Sequence, residues 1–293
     1  RRADGLERVP SDFRALISDL DRVRRAAADK AWLEELAPRC REHELAKVMS
    51  QDPYTDRALR KPRGFAGDAA MLDFIYQATP PAGTSALGRA IFEQTALSPS
   101  ARSVCDRRDR LTDLIRHAAT TRENARVVSV ACGHLREAQS LRDEEARRIE
   151  RLYAIDQDQE ALDVVAHDLD LPGLEPVFAS VRDLIAGRRS YEDCDLVYAA
   201  GLFDYLSDEV SSRLVGRMLS FLRPGGRLLI GNFTPVNWGR SYMDAFMDWQ
   251  LTYRTPTELR DIGRVAAAGR DIAIEKVSAD VLGNVAYREL VTK

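Results

Sequence analysis

From about residue 126 onward the chain alternates short β-branched runs with helical stretches, and its last two β-rich runs are separated only by a short loop around Gly283. No other feature constrains the fold as strongly. Strand–helix alternation implies a mainly parallel sheet covered on both faces, because a helical crossover returns the chain to the same end of the sheet. Strands are expected at 126–131 (RVVSVA), 151–155 (RLYAI), 175–179 (EPVFA), 194–199 (CDLVYA), 227–233 (RLLIGNF), 272–278 (IAIEKVS) and 284–291 (NVAYRELV). Helices fit between them at 135–149, 158–168, 208–222 and 256–269. The loop around Gly283 is too short for a crossover, so the last two strands should form an antiparallel hairpin at one sheet edge.

The expected class is therefore α/β, a Rossmann-like doubly wound seven-stranded sheet that is parallel except for its terminal hairpin. Residues 1–123 contain no convincing strand run. Phe13, Leu16, Ile17, Leu20 and Val23 recur at helical spacing, as do Trp32, Leu33 and Leu36. The division expected is a helical cap or lid over 1–123 and a ligand-binding sheet domain over 124–293. A length of 293 residues at 45% hydrophobic and 30% charged suits one large domain or a domain with a substantial extension.

A net charge of −3 argues against electrostatic capture of nucleic acid or an anionic membrane. No apolar run approaches the roughly 20 residues of a membrane span, and RRADGLERVP lacks a signal-peptide core. Cys40, Cys105, Cys132 and Cys194 show no CxxC or finger spacing, which suggests reduced thiols and a cytoplasmic location. His43, His117, His134 and His167 are scattered, so no metal site is expected.

In an open α/β sheet the ligand sits beyond the carboxyl ends of the strands. After the first strand come Ala131, Cys132, Gly133 and His134, where Gly133 would let the backbone approach a ligand and a helix N-terminus should follow. After the second come Asp156 and Gln157; the Asp156 carboxylate can accept from both hydroxyls of a ribose. After the third come Ser180, Val181, Arg182, Asp183 and Leu184, with Asp183 placed to accept from an adenine amino group and Val181 or Leu184 against the ring. After the fourth come Ala200, Gly201, Leu202, Phe203, Asp204 and Tyr205, small enough at first for a ligand to lie close. Each element has a plainer reading as a turn or a helix cap, but in this order along one edge they form a nucleoside site. A dinucleotide fingerprint needs three glycines to bring a pyrophosphate against the backbone. The single glycine here suits S-adenosyl-L-methionine (SAM), a nucleoside without phosphate.

The stretches VVSVACGHLRE, YAIDQDQ, SVRDL, CDLVYAAGLFDYLSD and LRPGGRLLIGNF resemble class I SAM-dependent methyltransferases, which share the parallel sheet with a closing hairpin. RKPRGFAGDAAMLDFIY and NFTPVNWGRSYMDAFMDWQLTYRT extend that resemblance to bacterial methyltransferases associated with 3-hydroxypalmitic acid methyl ester biosynthesis. The resemblance implies SAM as methyl donor, S-adenosyl-L-homocysteine (SAH) as product, and contacts from Gly133, Asp156, Asp183 and Gly201. The sequence departs from the common Gly-x-Gly-x-Gly form, and Ser129 stands where many relatives have an acidic residue.

Lys61–Asp68 (KPRGFAGD) precedes an apolar helix and reads either as a capped helix start or as a lid loop. As a lid it would bring Arg63 or Tyr76 toward the methionine carboxylate or the acceptor, with Phe65 beside it. Among Arg102, Arg107, Arg108 and Arg110, Arg108 is the choice for forking onto a carboxylate, although a solvated helix face is the plainer reading. Asn232 ends the fifth strand, and the segment from Trp238 to Tyr253 that follows is rich in aromatics, with Tyr242, Phe246 and Trp249 at helical spacing, either ordinary core or, with Asn232, the wall of an apolar, acyl-like acceptor site.

A carboxylate acceptor needs no general base, being ionised at neutral pH. A hydroxyl or amine acceptor needs one, and His134, Asp68, Tyr205 and Asp248 are the candidates. The expected reaction is methylation of an oxygen, carboxylate or hydroxyl, on a small acidic or acyl metabolite. N-methylation of an amine or peptide natural product, or a non-catalytic SAM-binding regulator, are the alternatives. The N-terminal helices are compatible with capping the site or with a homodimer interface.

Overall fold

The computed structural model describes residues 5–293, which divide into two compact units. The first comprises the chain up to Cys105 together with Val236–Gln250; the second comprises Asp106–Pro235 and Leu251–Lys293. The division thus falls elsewhere than the expected boundary near residue 123. The helix Pro99–Thr121 belongs to the first unit only as far as Cys105. Beyond that point its side chains serve the sheet unit: the Thr112 hydroxyl donates to the Glu137 carbonyl at 2.8 Å, and Arg116 bonds Ser140 and Glu145.

The first unit is helical. The phase of Phe13, Ile17 and Leu20 puts them on the buried face of Val9–Ala26. Phe13 meets Tyr242 with ring centroids 5.1 Å apart, and Tyr242 meets Phe246 at 5.3 Å. Asp244 accepts from the Trp32 indole at 2.9 Å. The segment 236–250 is therefore part of this helical core, although it follows the fifth strand in sequence.

The sheet unit contains β1 (Ala125–Val130), β2 (Ile149–Asp156), β3 (Leu174–Phe178), β4 (Cys194–Ala199), β5 (Leu222–Phe233), β6 (Ile272–Ala279) and β7 (Val285–Thr292). Their order is β3-β2-β1-β4-β5-β7-β6, parallel through β5 and antiparallel where β7 joins β5 and β6. Val127, Val128, Leu196 and Val197 are wholly or almost wholly buried, as expected for parallel strands covered on both faces. The hairpin turns at Asp280–Asn284, where Gly283 adopts φ 74° and donates to the Asp280 carbonyl at 3.1 Å. These features match the seven-stranded architecture expected from the sequence.

Two helices differ from expectation. The 135–149 stretch is a 3-10 turn, Arg136–Ala138, followed by one helical turn, Asp143–Ala146. Leu135 is left-handed (φ 50°), and the Glu137 and Ser140 carbonyls accept side-chain donors from Thr112 and Arg116 rather than helical N–H groups. The 256–269 helix breaks at Gly263, whose φ of 72° departs from the helix and whose added Cβ would stand 2.5 Å from Val215. Among the described residues no helix is long and apolar enough to cross a membrane.

Candidate functional site

The strand order reverses at β1, which lies between β2 and β4. The crevice beyond the carboxyl ends of such strands is where an open α/β sheet takes a ligand. The loop leaving β1 has an unusual backbone: Ala131, Gly133 and Leu135 all lie in the left-handed region, with φ of 55°, 54° and 50°. The chain thus makes three alternating left-handed steps with one glycine. A left-handed non-glycine residue costs roughly 1–2 kcal/mol. Burial of the Leu135 side chain helps offset this, whereas Ala131 is exposed. Ala131→Gly should therefore stabilise the protein by up to about 1 kcal/mol, since the greater freedom of the unfolded glycine cancels part of the gain. A lower Tm for this variant would contradict the assignment of strain.

Asp156 holds this loop. One carboxylate oxygen accepts from the Gly133 N–H at 2.8 Å and the other from the Asp158 N–H at 2.9 Å, while the Cys132 N–H donates to the Ile155 carbonyl at 3.0 Å. Burial raises the Asp156 pKa against the lowering effect of the Asp158 and Gly133 N–H groups. Each oxygen retains a lone pair for a further donor. Only the 3-10 turn Arg136–Ala138 follows in place of the expected helix N-terminus, and His134 is a buried loop residue beside Arg136, with Nδ1 at 3.4 Å from the guanidinium. Gln157 is exposed next to Asp156.

Behind the loop, buried Glu137 accepts from the Tyr198 hydroxyl at 2.8 Å. Burial raises its pKa, and the Tyr198 hydrogen bond and Arg107 oppose the rise. Sequence reading gave Glu137 no role, since it was placed on an expected helix.

At the end of β3, Ser180 caps the short helix Val181–Ile185 and Asp183 completes a capping box. Asp183 Oδ2 accepts from the Ser180 N–H at 3.0 Å and hydroxyl at 2.7 Å, while Oδ1 accepts from Arg188. Ser180 and then Arg188 hold its carboxyl well below the usual range. The cap reading describes Asp183 as found, and an adenine contact would have to share these oxygens. Leu184 is wholly buried in the sheet core, which corrects its assignment to the ligand and leaves that role to partly buried Val181; Arg182 is exposed.

At the end of β4, Gly201 and Tyr205 are exposed and Leu202 is partly buried. Arg107, only 6% exposed, donates to the Ala200 carbonyl at 2.7 Å, and its guanidinium lies 3.5–3.8 Å from where a Cβ on Gly201 would stand. The arginine at this edge is thus Arg107, whereas Arg108 forks onto Asp109 at 2.8 and 2.9 Å, a correction to the choice of Arg108. The phase was readable: Arg107 is three residues after buried Val104 and four before buried Leu111.

Asp204, missed in the sequence as a site residue, accepts from the Phe233 N–H at 2.6 Å. Burial pushes its pKa up to about 6 against the Phe233 hydrogen bond, Arg107 and Arg254. Arg254, 2% exposed, donates to the Phe203 and Leu206 carbonyls, Asn232 Oδ1 and Asp208, linking the loop after β4 to the end of β5. Asn232 is wholly buried, and its amide also donates to the Phe233 and Thr252 carbonyls at 2.9 Å. These partners make Asn232 a brace and correct its assignment to the acceptor. Tyr253, beside Arg254, is partly buried.

The other expected residues belong to the helical unit. Arg63, Phe65 and Tyr76 are partly buried there. Asp68 caps Ala69–Gln77 through the Met71 N–H at 2.7 Å and takes a two-pronged Arg57 contact, so it is a buried cap and ion-pair partner rather than a base. Asp248 is paired with Lys61 at 2.5 Å and Arg41 at 3.2 Å. Tyr242, Phe246 and Trp249 are core residues, which corrects their assignment to an acceptor wall; the Tyr242 hydroxyl lies 2.9 Å from Thr55 Oγ1. Trp238, partly buried, borders an open cavity of about 670 Å³ with Arg14, Ile17 and Arg25.

Buried carboxyls give a pH signature. Burial raises Asp52 and Asp204 to about 6, and raises Asp156, Glu137 and Asp244. A carboxyl with a higher pKa in the fold binds its proton more tightly there. Its stabilising contribution is full below the unfolded value near ~4 and is lost as pH rises through the folded value. Groups with lowered values, such as Asp183 and Asp193, titrate below this window. Tm measured by calorimetry should fall between about pH 4.5 and 6.5; a rise would contradict these assignments.

No known family profile matches the chain, and no curated protein matches it. Solved structures do. One is a possible exported protein from Bordetella parapertussis, with a TM-score of 0.65 at 18% identity over 91% of this chain and 97% of that one. Another is the S-adenosylmethionine-dependent methyltransferase SibL in its apo form, with a TM-score of 0.50 at 16% identity over 82% of this chain and 74% of that one. At such identities the likeness is one of fold: a Rossmann-like methyltransferase fold accompanied by N-terminal helices.

Proposed function

We propose that the chain is a SAM-dependent methyltransferase acting on an oxygen, foremost a carboxylate, of a small acidic or acyl metabolite. The observation that carries this reading is the left-handed Ala131–Leu135 loop, tied by the Asp156 carboxylate at the strand-order reversal. Non-glycine residues held left-handed concentrate at ligand sites, where strain is retained for function. The loop offers backbone at close range, and Asp156 keeps lone pairs for ribose hydroxyls. There is no run of helix N-terminal N–H groups to hold a pyrophosphate, which favours a nucleoside ligand over a dinucleotide.

SAM would supply a sulfonium-activated methyl group, transferred in line to the acceptor oxygen with SAH leaving. The tasks left to the protein are to orient the partners and exclude water. In this reading Gly133, Asp156, Gln157, Val181 and Gly201 hold the nucleoside and methionine portions, with Ala131, Asp183, Arg182 and Leu202 alongside. Tyr205 and Tyr253 stay as proposed contacts of cofactor or acceptor. A carboxylate acceptor is favoured because two of the four expected bases are otherwise engaged: Asp68 with Arg57, and Asp248 with Lys61 and Arg41. A carboxylate acceptor requires none of them.

Titration calorimetry with SAH and NAD tests the cofactor half of this reading. SAH should bind and NAD should not. Binding of NAD in preference to SAH would overturn it.

A further inference from the structure

The helix Val9–Ala26 carries a polar stripe beside its buried one. Phe13, Ile17 and Leu20 face the core, whereas Arg14, Ser18, Asp21 and Arg25 recur at i, i+4, i+7 and i+11 and share the adjoining face. That stripe lines the open cavity of about 670 Å³, together with Arg22, Trp238 and Ile17, which is only 5% exposed. All of these residues belong to the helical unit. Small-molecule sites in proteins run to roughly 300–1,000 Å³, so the cavity is large enough for an organic ligand.

Its lining carries three guanidinium groups against one carboxylate. That carboxylate, Asp21, is engaged: it accepts from the Ser241 hydroxyl and lies 3.7 Å from Arg25. Arg22 pairs with Asp19 at 2.7 Å, but the two side chains are 74% and 67% exposed. An exposed pair of this kind contributes little and yields to a more highly charged partner. Among the described residues no carboxylate pairs with Arg14. Arg14 and Arg25 stand roughly 16 Å apart along the helix axis, so a single monoanion would leave most of the charge unanswered. An extended polyanion answers it, and a guanidinium matches phosphate through paired N–H···O bonds. Between these cations Ile17 and the Trp238 indole supply apolar surface, and an indole is the kind of platform on which a base stacks.

We propose that this cavity binds a nucleoside polyphosphate, with its phosphates on Arg14, Arg22 and Arg25 and its base against Trp238 and Ile17. The site shares no residue with the crevice, and the proposal does not rest on the SAM reading. A nucleoside without phosphates, such as SAH, lacks the charge for which this cavity selects.

Calorimetry with ATP, adenosine and tripolyphosphate in metal-free buffer tests the proposal on wild type and four variants. Wild type should bind ATP at least tenfold more tightly than either adenosine or tripolyphosphate. Arg14→Glu combined with Arg25→Glu should weaken ATP at least tenfold. Arg14→Gln combined with Arg25→Gln, which removes the charge without reversing it, should fall between. Both arginines are exposed, so the fold should survive these changes, and an unchanged Tm checks that it does. Trp238→Ala should weaken ATP toward the affinity of tripolyphosphate, which itself should not change. Asp156→Ala, in the sheet unit, should leave ATP affinity as it is. A wild type that does not bind ATP, or that binds tripolyphosphate equally well, would overturn the proposal. So would ATP affinity that survives the double charge reversal, or that is lost in Asp156→Ala, which would place the nucleotide at the crevice instead.

Discussion

Asp156→Ala should lower SAH affinity on the order of 100-fold or more. The side chain makes two charge-assisted hydrogen bonds to backbone N–H groups, at Gly133 and Asp158, each worth about 1.5–3 kcal/mol. Without them the strained Ala131–Leu135 backbone loses its tie to β2, and the ribose loses its acceptor. Asp156→Asn should do nearly as much damage, because its NH2 group would face one of those two N–H donors. Glutamine at the neighbouring position, Gln157→Ala, should cost far less, since that side chain is exposed. Calorimetry on the three variants measures the contrast. Equal affinities for wild type and Asp156→Ala would remove this carboxylate from the site.

Arg254→Ala should have the largest effect on stability. Its guanidinium is buried and satisfies two carbonyls, the Asn232 amide oxygen and Asp208, while its charge also helps hold Asp204 ionised. Removing one member of a buried charged network costs about 3–5 kcal/mol, because the partners remain buried without it. At roughly 2–4 °C per kcal/mol, Tm should fall on the order of 10 °C. Asp208→Ala should cost much less, since that carboxylate is 79% exposed and water can replace it. A Tm for Arg254→Ala within a few degrees of wild type would show that the brace between the β4 loop and β5 is dispensable.

The sheet was legible because its signal is local and repeated. Runs such as RVVSVA and CDLVYA combine β-branched residues with burial on both faces, and the short Gly283 turn admits only a hairpin. What failed was whatever depended on a partner distant in sequence. The 135–149 stretch has helical composition, but Thr112 and Arg116 take the carbonyls a helix would use. Segment 236–250 follows β5, yet Tyr242 is paired with Phe13 and Thr55. Its aromatic stripe is core, as such stripes generally are.

The edge of the site was legible in outline and less so in its roles. Asp156 stands at the end of β2 as expected, whereas Asp183 and Asp68 are engaged as a capping box and a cap. The missing glycines were visible, but not that Ala131 and Leu135 would still take left-handed conformations. Propensity alone disfavours that backbone; the Asp156 tie and the burial of Leu135 make it the lower-energy choice here. Arg107 and Arg108 differ by one residue and hence by about 100° around the helix. The buried stripe through Val104 and Leu111 selects between them.

The central claim is tested most directly by incubating the protein with SAM labelled in its methyl group and a panel of acids, alcohols and amines. Carboxyl methyl esters release volatile methanol on mild alkaline treatment, whereas N-methyl products do not. The account predicts label transferred to an acid, released as methanol by alkali, and lost in Asp156→Ala. Label held in an alkali-stable amine product, or transfer that survives Asp156→Ala undiminished, would contradict it.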